Sequence, residues 1–270
     1  LPVGLKAKID AYRKLEAEIR LPRRAPGVLE SQPWEQPFLV QGNYRNEEQP
    51  VARGFLEVFG SREYSKHSSG RLELAEDLVS ENNTLATRVI VNRLWHHTFG
   101  RGLVSSTDNF GRLGKPPSHP ELLDHLATQF REDGWSIKKT LRKLVTSRTF
   151  QSSSQAPEGL SDKDPDNLYL THYRPRRLDA EAIRDTIYHV SGASMKRSVY
   201  QPQRRNNLDP FLAAFNLPIP TSTVGVRDLT NVPAQSLVLM NGQVAINASN
   251  NWRNRILNDR SLKGDKERVE

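Results

Sequence analysis

Arg88–Leu123 reads RVIVNRLWHHTFGRGLVSSTDNFGRLGKPPSHPELL, and this stretch decides the fold. Its first part continues a helix from Thr84 to about Phe99, opened by Asn83, a residue type suited to capping. Leu85 and Val89 fall on one face, Ile90 and Leu94 on another and Val91 on a third. A helix that is apolar on all sides is expected to be buried, so this one is read as the centre of the fold. The glycine-punctuated loop Gly100–Pro117 follows. Ser118 with Glu121 then reads as a capping box, with Pro120 in the first helical turn. Leu122, Leu123, Leu126 and Phe130 face the core, and Gly134 ends that helix.

Outward from this segment, Ser136 caps a helix whose expected buried stripe is Ile137, Leu141, Leu144 and Val145. Leu72, Ala75, Leu78 and Val79 predict a short amphipathic helix upstream. Leu178–Val190 is helical and stops at Ser191–Gly192. Asp209–Phe215 and Pro233–Asn241 read as short helices, and a last helix carries Val244, Ala248, Trp252 and Ile256. At the other end, Leu5, Ile9, Tyr12, Leu15 and Ile19 form one helical stripe. Pro22–Pro37 reads as an extended arm, and FLVQG at Phe38–Gly42 as a short strand. The expected architecture is mainly α: an irregular helical domain with a minor β component and long Pro/Gly-rich loops. Its divisions are 1–37, a helical spacer and arm; 38–258, a single domain; and 259–270, a polar tail.

The chain has 270 residues, 36% hydrophobic and 26% charged, with no cysteine. The length suffices for a core without cross-links. Without Cys there is no disulfide, no thiolate metal site and no covalently attached haem c, so no cofactor is expected in this segment. No apolar run is long enough to span a bilayer. LPVGLKAKID at the start is not a signal peptide, and the absence of an initial Met reads as a piece of something longer. The net charge of +8 points to acidic neighbours or to a solvated basic surface.

On the central helix, Arg88, Asn92, Trp95 and Phe99 share a narrow sector, flanked by His96. Either they line a ligand pocket, with Asn109 from the loop, or they form an internal network, since buried polar groups must be paired. His96, His97, His119 and His125 lack metal-ligand spacing, because adjacent helical histidines diverge and no i, i+4 pair occurs; no metal site is expected. Asp108 is read as pairing with an arginine. Arg174, Arg176, Arg177, Glu181, Arg184 and Asp185 form a charged patch with helical pair spacing at Arg177/Glu181 and Glu181/Arg184. Lys138, Lys139, Arg142 and Lys143 make a basic face without the aromatics that base stacking requires, so no specific nucleic-acid partner is expected.

The block VNRLWHHTFGRGLVSSTDNFGRLGKPPSHPELLDHLATQF, followed by WSIKKTLRKLVTSRTFQSS, resembles a planctomycete-specific domain of unknown function. The resemblance extends through FLVQGNYRNEEQPVARGF, RPRRLDAEAIRD, RSVYQPQRRNNLDPFLAAFNLP and RDLTNVPAQSLVLMN, roughly Phe38 to Trp252. It implies a periplasmic or secreted multidomain protein, with cytochrome-c-like domains upstream in the same parent chain as partners. It carries over no catalytic residue. After Ser194 this chain runs almost directly into RSVY, where the family has a longer Gly/Pro-rich excursion.

The leading functional expectation is a binding or domain-docking module for an anionic polysaccharide or a partner domain, centred on Arg88, Asn92, Trp95, His96 and Asn109. The alternative is a polysaccharide-acting enzyme using His96, Asp108 and His119 as acid–base groups. A non-specific nucleic-acid binder comes third.

Overall fold

Terminators and apolar spacing set the helices of this chain, and a computed structural model describes residues 4–18, 27, 29, 33–60, 62–160, 162–203, 205–259, 261–262 and 264. The arm at Pro22–Pro37 and the tail at 259–270 lie largely outside the described residues, as does Ile19. The fold is mainly α, with nine α-helices and one two-stranded sheet among the described residues. The chain divides into two compact units, Leu1–Asn83 and Thr84–Glu270.

In the first unit, α1 (Leu5–Glu18) leaves its stripe residues Leu5, Tyr12 and Leu15 exposed. β1 (Pro37–Leu39) pairs antiparallel with β2 (Glu47–Pro50). The strand expected through Gly42 stops at Leu39, because Gln41 and Gly42 both take positive φ in a 3-10 turn. Arg53 organises the loops behind the sheet. Its amide and Nε donate to Glu35 at 3.0 and 3.2 Å, and Nη1 donates to Ser68 O at 2.6 Å. α2 (Arg71–Val79) forms as expected, with Leu72, Leu78 and Val79 exposed.

The second unit begins with α3 (Thr84–Phe99), on which α4 (Pro120–Glu132) and α5 (Ile137–Val145) pack. Their core is Val91, Trp95, Leu103, Val104, Leu123, Phe130 and Leu144. Burial of α3 is one-sided rather than all-round. Thr87, Val91, Asn92, Trp95 and Thr98 are buried, Ile90 and Leu94 are half-buried, and Leu85 is exposed. The capping box expected at Ser118–Glu121 does not form. The cap position falls one residue later, at His119, and Ser118 Oγ lies 3.0 Å from His119 Nδ1.

Gly134 ends α4 at φ 68°, with Trp135 N donating to Phe130 O at 3.0 Å and Gly134 N to Arg131 O at 2.9 Å. This pairing satisfies the last carbonyls of the helix, and the Phe130–Trp135 ring contact (5.3 Å) seals it. Ser136 Oγ accepts from Lys139 N and caps α5. On α5 Thr140 and Leu144 are buried and Leu141 is half-buried, with Ile137 and Val145 exposed. Thr140 can face inward because its hydroxyl donates to Ser136 O.

The remaining helices are α6 (Ala180–Ser191), α7 (Pro210–Ala214), α8 (Pro233–Asn241) and α9 (Gln243–Asn258). They share a second core of Ala180, Phe211, Leu212 and Phe215, flanked by Ile183, Ile187, Val238 and Val244. Asp209 Oδ1 caps α7 by accepting from Phe211 N and Leu212 N. Two hydrogen bonds distant in sequence tie the loop and helix of the first core to later segments: Thr107 Oγ1 to Gly225 O (2.8 Å) and Tyr173 OH to Thr98 O (3.1 Å).

Candidate functional site

Each polar residue expected on the central helix has a distinct local role. Asn92 is wholly buried; its Nδ2 donates to Val104 O at 2.9 Å and its Oδ1 accepts from Val104 N at 2.8 Å. Both functions of the side chain are therefore used inside the protein. Arg88, one turn earlier on α3 and partly exposed, places Nε 2.6 Å from Asp124 Oδ1, and its Nη1 donates to Thr84 O. That bond and charge hold the Asp124 carboxyl below its usual range. Trp95 stacks on Phe99 at 4.2 Å between ring centres, in the core.

The acid–base candidates are not joined. His96 is half-buried and its Nδ1 has no hydrogen-bond partner among the described residues. Burial, then the positive charges of His97 and Arg176, push its pKa down against a smaller pull from Asp179. Asp108 is exposed and lies over the backbone of Gly225, where an added Cβ would sit 2.6 Å from Asp108 Cβ and Cγ. It pairs with no arginine among the described residues, contrary to expectation. Asn109 Oδ1 accepts from Gly111 N at 3.0 Å and shapes its own loop. No hydrogen bond or ion pair among the described residues links any two of His96, Asp108 and His119.

The cleft beside Trp95, lined also by Arg101, Ser118, Asp166 and Arg174, has a volume of about 40 Å³. Pockets that hold small ligands run to roughly 300–1,000 Å³.

A larger cleft, of about 540 Å³, opens along the first turns of α6. Asp179, Glu181 and Asp185 line it from α6 and its cap, Arg197 and Ser198 from the following turn, and Pro218, Ile219 and Arg227 from the segment after α7. Glu181 takes a two-pronged ion pair from Arg227, at 2.6 and 3.0 Å. Burial raises the Glu181 pKa, but these bonds, its own backbone amide and the Arg227 charge outweigh it and leave it below normal. Asp185 Oδ1 accepts from Ser198 N (2.8 Å) and Ser198 Oγ (2.7 Å), and Arg197 Nε lies 3.6 Å from Oδ2. Burial raises its pKa too, and the Ser198 bonds and Arg197 prevail and lower it. The local pairs expected at Arg177/Glu181 and Glu181/Arg184 do not form. Arg177 instead donates to Thr230 O and to Gln235 Oε1 (2.9 Å). Sequence spacing gives no signal for Arg227 or Ser198 as partners, since both lie beyond the helix.

The basic face of α5 is partly neutralised: Lys143 meets Asp133 at 2.7 Å and Lys139 meets it at 3.7 Å. Among the described residues no group of three His, Asp or Glu side chains is placed to hold a metal ion, and no helix is long and apolar enough to cross a membrane.

The segments that build α3 to α5, the α6 cleft and the last helices are those that match a known family. The chain belongs to the family described as PSD1, protein of unknown function (DUF1553), which matches residues 70–196 and 193–270. No curated protein and no solved structure matches the chain.

Proposed function

We propose that this domain is a non-catalytic glycan-binding module whose site is the α6 cleft. The observation that carries the reading is the state of the carboxyls there. Glu181 and Asp185 are both shifted down, so at neutral pH both are ionised. Glycoside hydrolysis needs one carboxyl kept protonated as a general acid, by a raised pKa. Fixed carboxylates and guanidiniums in a cleft of ligand size instead suit hydrogen bonding to sugar hydroxyls. The net charge of +8 attracts an anionic polymer to the protein as a whole, and Arg197 and Arg227 are the cations the cleft offers it beside its carboxylates. The same proposal extends to the setting implied by the sequence resemblance: an extracytoplasmic protein of planctomycete type, with cytochrome-c-like domains as neighbours.

The test is titration with a carboxylated oligosaccharide, a neutral oligosaccharide and duplex DNA at low and at physiological salt, with a parallel assay for new reducing ends. Exposed attraction is screened over ~8 Å at physiological salt. Glycan binding that survives salt, is weakened in Arg197→Ala and releases no reducing ends is the expected result. Loss of all three ligands alike at physiological salt, or chain cleavage, overturns the proposal.

A further inference from the structure

At the opposite end of α6 lies a second cleft, of about 440 Å³, between the helix C-terminus and one face of α9. We propose that it is a separate binding site for a hydroxylated carboxylate, the chemistry of a uronic acid residue. The inference stands independently of the cleft at the start of α6.

Arg255 is the anchor. Gly192 closes α6 at φ 74°, and a Cβ built there would stand 3.0 Å from Arg255 Nη1 and 3.2 Å from its Cδ. The left-handed backbone favours glycine here, and its bare Cα lets the Arg255 side chain lie close against the end of α6. Arg255 forms no ion pair with any described residue, and no acidic side chain lines the cleft. A seated guanidinium without a counter-charge presents a planar fork of donors, the geometry that matches a carboxylate.

The rest of the wall complements hydroxyl groups. Asn251 and Asn247 stand one and two turns before Arg255 on the same face of α9. Asn247 Oδ1 accepts from Gln243 Nε2 at 2.7 Å, which leaves its amide hydrogens as donors. Asn251 offers both a donor and an acceptor. Tyr188 supplies an aromatic wall, and behind it Arg184 lies 4.9 Å from the ring centre. Arg184 is only 4% exposed; among the described residues its Nε has no partner and its Nη1 donates to Ser198 Oγ, which in turn donates to Asp185. It stiffens the Tyr188 wall and leaves Arg255 as the cation that lines the cleft. The two family-matched segments meet at residues 193–196, on the rim of this cleft.

The experiment follows backbone and Asn side-chain amide signals of the full chain during titration with galacturonate, galactose and inorganic phosphate at physiological ionic strength. Galacturonate is expected to shift Gly192 and Asn251, with galactose and phosphate much weaker. Arg255→Ala should weaken galacturonate by roughly tenfold or more, and Arg255→Lys by less, because charge survives and the fork is lost. Lys138→Ala, on the exposed face of α5, should leave it unchanged. Equal responses to galactose and galacturonate, equal binding of phosphate, or an unaffected Arg255→Ala variant overturns the proposal.

Discussion

Asn92 holds the chain that leaves its own helix: one side-chain amide exchanges two hydrogen bonds with the backbone of Val104, twelve residues on. The pair acts as a buried peptide-like clamp. It fixes the return of Leu103 and Val104 into the core beneath α3 and α4.

Replacing Asn92 by Ala leaves a buried amide and a buried carbonyl without partners, each worth about 1–3 kcal/mol. Arg88→Ala removes one partly exposed ion pair, worth about 1 kcal/mol or less. Urea denaturation should therefore give Asn92→Ala a much lower midpoint than Arg88→Ala. Equal midpoints would show that the clamp is not a principal support.

Gly102 passes directly under this clamp. A Cβ there would stand 2.5 Å from Val104 O and 2.8 Å from Asn92 Nδ2. Gly102→Ala should cost roughly 1–3 kcal/mol by overpacking. Combined with Asn92→Ala it should cost less than the sum of the two, since part of the clash disappears with the amide. A double-mutant cycle measures this, and strict additivity would argue against a shared element.

The Glu181–Arg227 pair sets an acid sensitivity. The folded pKa of Glu181 is depressed, so its stabilisation is present above the ordinary carboxylate range and is lost as pH falls through the folded value. Arg227→Met should lower stability at pH 7 by roughly 1–2 kcal/mol, allowing for partial solvent screening. The gap between variant and parent should close on acidification below about pH 4. A gap that is constant with pH would mean that the loss is one of packing.

His96 has the same sign and a higher window. Burial disfavours its imidazolium, so the unfolded chain takes up a proton before the folded one does. Stability should decline as pH drops below about 6.5, and His96→Gln should flatten that part of the profile. The His96 ring resonances should titrate below the ordinary histidine value in an NMR series. A midpoint at or above that value would contradict burial as the dominant influence.

Local punctuation in the sequence was legible where local physics decides. Pro233 and Gly242 bracket α8 at the expected Pro233–Asn241, Gly192 stops α6, and Ser136 caps α5. The need of a buried Asn92 for partners could be read, but the identity of Val104 could not, because nothing in a linear pattern specifies which turn of a loop comes back. The same limit explains the α6 cleft. Helical spacing offers Glu181 the arginines at 177 and 184, whereas the fold supplies Arg227, 46 residues away. It also explains Asp108, whose expected arginine is replaced by the Gly225 backbone. The burial of α3 was overestimated from its composition, since apolar content on a face does not say whether another helix arrives to cover it.

The Thr107–Gly225 hydrogen bond bears on the order of assembly. Its partners are 118 residues apart, and Thr107 is almost wholly buried. α3 to α5 lie close together in sequence, as do α6 to α9, so each group can collect its own core with little loop closure. The bond between residues 107 and 225 closes a loop of 118 residues, the longest spanned by a hydrogen bond among the described residues, and should form last. In pulsed hydrogen exchange during refolding, amides of α3 to α5 should gain protection before those around Gly225. Thr107→Val should then speed unfolding while leaving the refolding rate nearly unchanged.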